Sequence, residues 1–408
     1  MEFYQKMDKL RIAQTNKYNV FRCLIRNGPI NRAAIARMTN LSIPTVMTIT
    51  AELLDKGVIR SIGKGESSGG KPPEMLELDP RCFYCVGVDV GRTTIRLIAT
   101  DAASGQVAEL QELTGNPLPA RDFISRIGDL VLNLMEKGRI APEKIVGIGV
   151  AMPGLIEKES GRVIFSPDFE WTEIPLKHWL KDKLPFTILV ENANRALALN
   201  ESYFAGDGEP THTAFTVNLG HGIGAGLVLG EELYMGAGGT SGEIGHIIVE
   251  QGGPLCMCGN RGCLEAVASG DAIAKKGRAA IEKGEAEGIY ALCGGRGEEI
   301  EAKTVFMASE RGDQAAMKII DDAAEYIGIG LSMAINVLDP DRLVLCGGLM
   351  RNDASFFEKI KASIEKHKMK QTGRQLVITR GIKGENSTAA GVCRLLLNTL
   401  WRERSLPI

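Results

Sequence analysis

The chain has 408 residues, of which 44% are hydrophobic and 24% charged, and its net charge is −2. This composition is typical of globular proteins and excludes a collagen-like, coiled-coil or largely disordered chain. At about 100–200 residues per domain, the length predicts two to four domains. The charge is uneven, because residues 1–80 carry 12 Lys and Arg against 8 Asp and Glu, while the remainder is acidic. A modestly basic N-terminal part favours contact with nucleic acid only weakly.

Neither membrane insertion nor secretion is expected. No run of about 18 apolar residues without charge occurs, and the first residues, MEFYQKMDKLRIAQ, contain no apolar core of a signal peptide. Nine cysteines in a chain of this length do not suggest a disulfide scaffold, so we expect free thiols and metal ligands. The sequence therefore predicts a cytoplasmic protein with no membrane partner.

Residues 1–80 are predicted to form a winged helix-turn-helix domain. Apolar spacing predicts helices over 19–26 and 32–38, and Ser42 is a good N-cap for a third helix over 43–56. A hairpin with a glycine-rich loop follows as the wing. The alternative is a helical capping domain with a mobile hairpin. Short polar side chains can reach base edges, and wing lysines can contact phosphates. The predicted DNA-binding residues are Ser42, Thr45, Thr48, Lys64 and Lys71.

The rest of the chain predicts two α/β lobes built on a common plan. Buried-type strands alternate with helical segments from Cys85 onwards, and a similar series begins at Ala214. The Gly/Glu-rich segment 282–304 is expected to form a surface excursion. The expected boundaries are 81–200 plus a C-terminal helix at about 386–408 for the first lobe, and 201–385 for the second.

Three glycine-containing turns follow strands, and together they predict a nucleotide-type cleft. Backbone N–H groups and Thr hydroxyls in such turns can bind phosphate oxygens. One such turn is weak support for a nucleotide-type cleft, whereas three turns at strand ends are a moderately specific sign of one. The turns lie at Asp89, Gly91 and Thr93, at Gly220 and Gly222, and at Gly347 and Gly348.

One imidazole and three thiols lie close together in the chain, at His246, Cys256, Cys258 and Cys263. This set matches a closed tetrahedral zinc site, in which four protein ligands leave no open position for catalysis. The C-x-C spacing departs from the usual C-x2-C, so three ordinary free cysteines are the alternative. The loop has little apolar material to hold its shape, and a metal ion would supply that order.

Two carboxylates beside this loop are candidates for binding sugar hydroxyls. Glu243 lies three residues before His246, and Glu265 lies two residues after Cys263. Carboxylate and imidazole groups accept or donate hydrogen bonds directionally, as recognition of hydroxyls requires. The alternative is a pair of solvated acids.

Together these motifs resemble the ROK family, which includes transcriptional repressors and sugar kinases. The resemblance covers essentially the whole chain and rests on VNLGHGIGAGLVLGEELYMGAGGTSGEIGH, on CMCGNRGCLE and on the wing GESSGGKPPEMLELDP. It implies an actin-like, hexokinase-like two-lobe fold, structural Zn²⁺ and the winged head of the repressor branch. The sugar-binding residues that it implies are Glu243, His246, Glu265, Asn192, Glu191, Arg162 and Asp168.

Two departures from the kinases of this family predict that catalysis is lost. Those kinases have an Asn-Asp-Ala-Asn segment whose Asp is the general base, whereas this chain has Asn192 at that position. Loss of a positioned base typically costs about 10²–10⁴ in rate. Arg92 replaces the second glycine of the D-x-G-G-T turn, and His221 replaces a Thr of the second turn. We therefore expect vestigial phosphate loops and no catalytic residue.

The sequence thus predicts a sugar-responsive transcriptional regulator, in the simplest case a repressor. A homodimer, with a tetramer left open, would bind double-stranded operator DNA as a two-fold repeat. A monosaccharide or derivative would bind between the lobes as effector, and the family resemblance favours release of DNA. One alternative is an ATP-dependent sugar kinase with a DNA-binding head, in which Glu191 substitutes as base. A protein–protein adaptor is a third.

Overall fold

The computed structural model describes residues 9–66, 72–204, 212–230, 232–294, 300–352, 354–370, 376–381 and 384–406. Lys71, one of the predicted wing residues, lies outside these ranges. Every helix within them is too short or too polar to span a bilayer.

The N-terminal head contains three helices and a small antiparallel sheet. In chain order its elements are α1 (Lys9–Asn27), β1 (Ile30–Asn31), α2 (Arg32–Thr39), α3 (Ile43–Asp55), β2 (Ile59–Lys64) and β3 (Glu74–Leu78). The Asn31 side chain caps α2 by accepting a hydrogen bond from the Ala34 N–H at 2.9 Å. Ser42 caps α3 by accepting from the Thr45 N–H at 3.3 Å. This arrangement confirms the predicted winged helix-turn-helix, with β2 and β3 as the wing strands.

The first lobe is built on a five-stranded sheet. Its elements are β4 (Tyr84–Val90), β5 (Thr94–Asp101), β6 (Gln106–Leu113), α4 (Ala120–Lys137), β7 (Ile145–Met152), β8 (Leu155–Glu157), β9 (Arg162–Ser166), β10 (Trp171–Ile174), α5 (Leu176–Lys181), β11 (Ile188–Asn192) and α6 (Ala193–Phe204). The main sheet has the order β11-β7-β4-β5-β6, and β8, β9 and β10 form a separate small sheet. In the main sheet, the central strands β4 and β7 are buried on both faces, as their continuous apolar sequences require.

The second lobe is built on a second five-stranded sheet and a larger set of helices. Its elements are β12 (Thr213–Leu219), β13 (Ile223–Leu229), β14 (Glu232–Tyr234), α7 (Leu264–Ala268), α8 (Gly270–Glu282), α9 (Glu287–Leu292), α10 (Ala302–Glu310), α11 (Gln314–Leu338), β15 (Arg342–Cys346), α12 (Leu349–Asn352), α13 (Ala354–His367) and β16 (Val377–Arg380). The strand order is β14-β13-β12-β15-β16. A final helix, α14 (Ser387–Arg402), returns to the first lobe.

The two lobes have the same strand plan. In each sheet the central strand, β4 or β12, pairs in parallel with a later strand on one side and antiparallel with the next strand on the other. The turns that join β4 to β5 and β12 to β13 are therefore equivalent. The common plan confirms the two α/β lobes expected from the sequence.

Part of the segment 282–304 packs into the second lobe, so the expected surface excursion is found only in part. Its described residues include α9, the residues before α10 and the start of α10 itself. Ile289 and Ile300 are buried in the core of the second lobe. Together with the buried Ala286, they supply the burial that the polar composition of the segment concealed.

Helix α14 joins the head to the first lobe. It packs on β4, β7 and α6. Near its end, the Trp401 ring stacks on Phe21 of α1, with centroids 5.5 Å apart and planes at 18°. The same ring meets Tyr18 edge-on at 5.0 Å, and the Tyr18 hydroxyl accepts a hydrogen bond from the Leu406 N–H at 3.1 Å. One continuous hydrophobic cluster therefore spans the head, the first lobe and α14.

Candidate functional site

A cleft of about 1630 Å³ lies between the lobes, where the two equivalent turns face each other. It exceeds the roughly 300–1,000 Å³ of a typical small-molecule pocket. All predicted phosphate-loop residues line it, namely Asp89, Gly91, Thr93, Gly220, Gly222, Gly347 and Gly348. The predicted sugar-binding residues that line it are Glu243, His246, Glu265, Asn192 and Asp168.

Two predicted sugar-binding residues, Arg162 and Glu191, are not among the residues that line the cleft. Arg162 lies in β9, where its guanidinium is ion-paired with Glu157 at 3.0 Å. Glu191 is buried at the end of β11 and accepts hydrogen bonds from the Asn192 N–H at 2.6 Å and from Arg195 Nε at 2.8 Å. The Arg162 pair is therefore at the surface of the first lobe and the Glu191 pair is in its interior, and neither side chain lines the cleft.

Glu243, His246 and Glu265 lie together on the second-lobe wall of the cleft. The Glu243 carboxylate is 3.9 Å from His246 Nε2. Burial raises the pKa of Glu243, and the nearby imidazole opposes that increase. Glu265 accepts a hydrogen bond from the Ile223 N–H at 2.8 Å, which fixes the orientation of its carboxylate. Gly222 makes this approach possible, because a Cβ there would lie 2.4 Å from Glu265 Oε2.

A four-residue His/Cys cluster lies beside this wall. The ligand atoms of His246, Cys256, Cys258 and Cys263 all lie within 4.8 Å of one another. His246 Nδ1 is 3.6 Å from Cys256 Sγ, and Cys258 Sγ is 3.6 Å from Cys263 Sγ. Thiolates at about 2.3 Å from a tetrahedral zinc ion are about 3.8 Å apart, so the spacing fits. The three cysteines are free, and a disulfide would need about 2.05 Å. The cluster can therefore hold a metal ion.

The two nitrogens of the His246 ring face different partners. Nδ1 faces the thiols, whereas Nε2 faces Glu243. A metal ion on Nδ1 would leave the ring proton on Nε2, since metal-bound histidines donate through their other nitrogen. The imidazole would then present a fixed N–H donor to the cleft beside the Glu243 carboxylate.

Asn192 uses both ends of its side-chain amide within the protein. Its Nδ2 donates to the Gly154 carbonyl at 2.9 Å. Its Oδ1 accepts from the N–H groups of Asn194 at 2.9 Å and Arg195 at 3.2 Å, at the start of α6. A carboxylate could not donate to Gly154, so an amide is the group that satisfies this position. An amide cannot act as a general base for an attacking hydroxyl.

Side chains join the two phosphate-type turns across the cleft. The Arg92 guanidinium donates to both carboxylate oxygens of Asp271, at 2.7 and 2.9 Å, and contacts His221 Nδ1. His221 Nδ1 is in turn 3.1 Å from Asp271 Oδ1. Although burial opposes the effect, hydrogen bonds from His221 and Arg92 hold the pKa of Asp271 well below its usual range. We call Arg92, His221 and Asp271 the interlobe clasp.

The predicted DNA-binding side chains lie at the start of α3 and in the wing. The hydroxyls of Ser42 and Thr45 are 2.8 Å apart, and Thr48 donates to a backbone carbonyl of the first turn at 3.1 Å. Lys64 is exposed at the end of β2, and Arg37 is exposed in the last turn of α2. In the described part of the chain, neither of these cations has an ion-pair partner.

Sequence reasoning missed three residues at important positions, namely Asp271, Arg195 and Trp401. Asp271 follows the N-cap Ser269 in the first turn of α8, where an acidic residue was a usable signal. Arg195 lies four residues after its partner Glu191, but Glu191 ends β11 and Arg195 lies in α6, so helical spacing gave no signal for this pair. Trp401 contacts α1 at the other end of the chain, and no local pattern indicates that contact.

The fold and the site define a class of protein in which a winged DNA-binding head is attached to a two-lobe body with a kinase-like cleft. Residues 85–399 match the ROK family, and residues 14–60 match a winged helix-turn-helix DNA-binding family. The chain therefore belongs to the ROK family.

Relatives and solved structures are similar to this chain over most of its length. The xylose repressor of Bacillus subtilis (strain 168) is 28% identical over 393 residues, which cover 96% of this chain and 97% of that protein. The N-acetylglucosamine repressor of Escherichia coli O157:H7 is 28% identical over 376 residues, covering 90% and 89%. A solved ROK family transcriptional regulator, a homologue of the E. coli MLC protein, has a TM-score of 0.80 at 24% identity, covering 97% and 99%. A ROK family glucokinase from Streptomyces griseus, in complex with glucose and AMPPNP, has a TM-score of 0.66 at 26% identity, covering 76% and 98%. These likenesses confirm the hexokinase-like fold.

Proposed function

We propose that the protein is a sugar-responsive transcriptional repressor that binds operator DNA. Support comes from the winged head and from relatives named as xylose and N-acetylglucosamine repressors. The observation that carries the proposal is the course of α14. Ser387 and Thr388 at its start line the cleft, whereas Trp401 near its end stacks on the head. One rigid element thus contacts both the ligand cleft and the DNA-binding domain.

The effector is a monosaccharide or a derivative of one, bound on the wall that carries Glu243, His246 and Glu265. Two carboxylates accept hydrogen bonds from sugar hydroxyls, and the Nε2–H of His246 donates one. The backbone bond to Glu265 and the contact between Glu243 and His246 fix these groups before a ligand arrives. Such preorganisation reduces the entropic cost of binding.

A structural zinc ion braces this wall. The donor set of one imidazole and three thiolates is typical of closed zinc sites. The apolar side chains at the tip of the loop contribute little packing, because Leu255 and Met257 leave 63% and 77% of their surface exposed. Zinc fixes the His246 ring, and through that ring it orients the N–H donor that faces the sugar.

The cleft serves in binding rather than in catalysis. Asn192 stands where related kinases have their base, and its amide is engaged with Gly154 and α6. The interlobe clasp occupies the two turns that would hold phosphate. Arg92 fills the place of a glycine, so a phosphoryl group would have to displace its bidentate bond to Asp271.

Effector binding reaches the operator through α14. Sugar changes the closure of the lobes, α14 shifts with the cleft, and the heads of a homodimer change their relative placement. Half-sites about one helical turn apart require that placement to be correct. A coupling free energy of about 1–3 kcal/mol would change DNA affinity about 5–150-fold. We expect sugar to release DNA.

Fluorescence anisotropy on DNA from the upstream region of the gene tests this proposal. The titration is run at fixed salt, with and without a panel of sugars, amino sugars and sugar phosphates, and a shuffled duplex is the control. We expect specific binding that a single sugar class weakens about 5–150-fold. Binding that no sugar changes would contradict the effector role, and binding no tighter than to the shuffled duplex would contradict the repressor role.

A sugar kinase with a DNA-binding head is the second candidate. Asp89 and Gly91 retain the D-x-G turn, and the fold is similar to that of a glucokinase solved with glucose and AMPPNP. The substitute base Glu191 is disfavoured, because its carboxylate is buried and paired with Arg195. ADP release with ATP, Mg²⁺ and a panel of hexoses and pentoses tests this candidate. Turnover above background that Glu191→Gln abolishes would support it, and no turnover would end it.

A further inference from the structure

The outward face of α3 is apolar. Ile43, Met47 and Ala51 follow one another at four-residue intervals, so they form one stripe along the helix. Ile43 and Met47 leave 52% and 55% of their surface exposed, and Ala51 is also exposed. The apolar residues that the head core needs lie on a different side of the helix, at Val46, Ile49 and Leu53.

This stripe does not serve the packing of the head. None of its three residues belongs to the hydrophobic cluster of the head or packs against that cluster as a partly buried member. The charge near α3 suits a polyanion, because its first turn contains no acidic residue and the exposed Arg37 and Lys64 lie in the elements that precede and follow it in the chain. Glu52, on a later turn, is neutralised by ion pairs with Lys17 and Lys56.

The sequence of α3, IPTVMTITAELLD, contains no Arg, Lys, Asn or Gln. Those side chains make the bidentate contacts that identify guanine and adenine in the major groove. The hydroxyls of Ser42, Thr45 and Thr48 already take part in hydrogen bonds within the start of the helix. Apolar contact is therefore the readout that this face offers, and the thymine C5-methyl is the apolar group that the major groove exposes.

We infer that α3 reads its half-site through the C5-methyl groups of thymine, with Ile43 and Met47 as the specificity-determining side chains. This inference rests on the proposed binding of operator DNA. It assigns T·A pairs to the positions beneath the stripe. Arg37 and Lys64 contribute phosphate contacts, which hold the helix in place without reading sequence.

Replacement of thymine by deoxyuridine tests the inference, because it removes only the methyl group and keeps every hydrogen-bonding group of the base. The duplex is the upstream DNA that the full-length protein binds specifically, and each thymine of one half-site is replaced in turn at fixed salt. Burial of one methyl group corresponds to about a fourfold change in Kd. We expect about this loss at each thymine that the stripe contacts, and almost none elsewhere.

Measuring the binding of protein variants to these duplexes identifies which side chain contacts which thymine. Met47→Ala should bind the thymine duplex more weakly and should lose the difference between thymine and uracil at the positions that Met47 reads. Ile25→Ala, an equally exposed apolar change on α1, should keep that difference in full. Arg37→Ala should weaken all duplexes alike and reduce the salt slope by about one, as a phosphate contact does.

The outcomes separate the inference from the proposed function. Specific binding with equal affinity for every thymine and uracil duplex would overturn methyl readout and leave the repressor proposal intact. A thymine preference that Met47→Ala and Ile43→Ala both retain in full would also overturn the inference. Absence of specific binding to any upstream DNA would overturn the proposed function, and the inference with it.

Discussion

The contact between Trp401 and α1 predicts that Trp401→Ala uncouples the cleft from the head. Trp401 stacks on Phe21 and meets Tyr18 edge-on. Each aromatic pair contributes about 0.5–1.5 kcal/mol beyond burial, so the two pairs contribute about 1–3 kcal/mol. Coupling between an effector and a second ligand is typically about 1–3 kcal/mol. The contact is therefore as strong as the coupling that it transmits, and its loss should reduce the sugar response to less than about threefold.

The assay is an anisotropy titration of operator DNA with and without saturating effector. Trp401→Phe retains a ring on Phe21 and should keep most of the sugar response. Asn398→Ala, an exposed change one turn earlier on α14, is the matched control and should behave as wild type. Sugar affinity, measured by calorimetry, should be unchanged in all variants because Trp401 does not line the cleft. A full sugar response in Trp401→Ala would refute the role of α14.

Three further predictions concern the cleft. Cys258→Ser removes one of four metal ligands, so the metal content measured by mass spectrometry should fall. Sugar affinity should fall about tenfold or more, while DNA affinity changes little. Unchanged sugar affinity in the metal-free protein would show that zinc does not brace the wall. Asn192→Asp places a carboxylate against the Gly154 carbonyl, so the unfolding free energy from urea titration should fall by about 1–3 kcal/mol. ADP release should stay at background. Sustained turnover would contradict the claim that the cleft serves in binding rather than in catalysis. Arg92→Ala removes a largely exposed ion pair with Asp271, which contributes about 0.2–1 kcal/mol. Calorimetry should therefore show a sugar affinity changed by no more than about fivefold. A larger loss would mean that Arg92 contacts the ligand.

Local patterns predicted those parts of the molecule that local interactions fix. The third helix of the head was predicted over 43–56 and is found at Ile43–Asp55, because Ser42 caps it and its buried residues recur at helical spacing. The His/Cys cluster lies within one short segment, so the sequence indicated a candidate metal site, with free cysteines as the alternative.

Contacts between distant segments were not predictable from such patterns. Arg92 and Asp271 are 179 residues apart, and only the folding of both lobes brings them together. The family resemblance placed Glu191 near the sugar, but its burial and its pair with Arg195 depend on the packing of β11 against α6. In 282–304, the polar composition concealed the buried residues Ala286, Ile289 and Ile300, because composition does not indicate which side a short helix buries.

The shared cluster around Phe21 has a consequence for the synthesis of the chain. The head is made first, yet Leu400 and Leu406, which complete its core, follow about 380 residues later. At about 5–20 residues per second, they follow after roughly 20–80 s. During that interval the apolar side of α1 lacks its final cover. The domain that occupies the operator therefore matures together with the domain that senses the sugar, and a chain truncated before α14 is left without the contacts that stabilise its head.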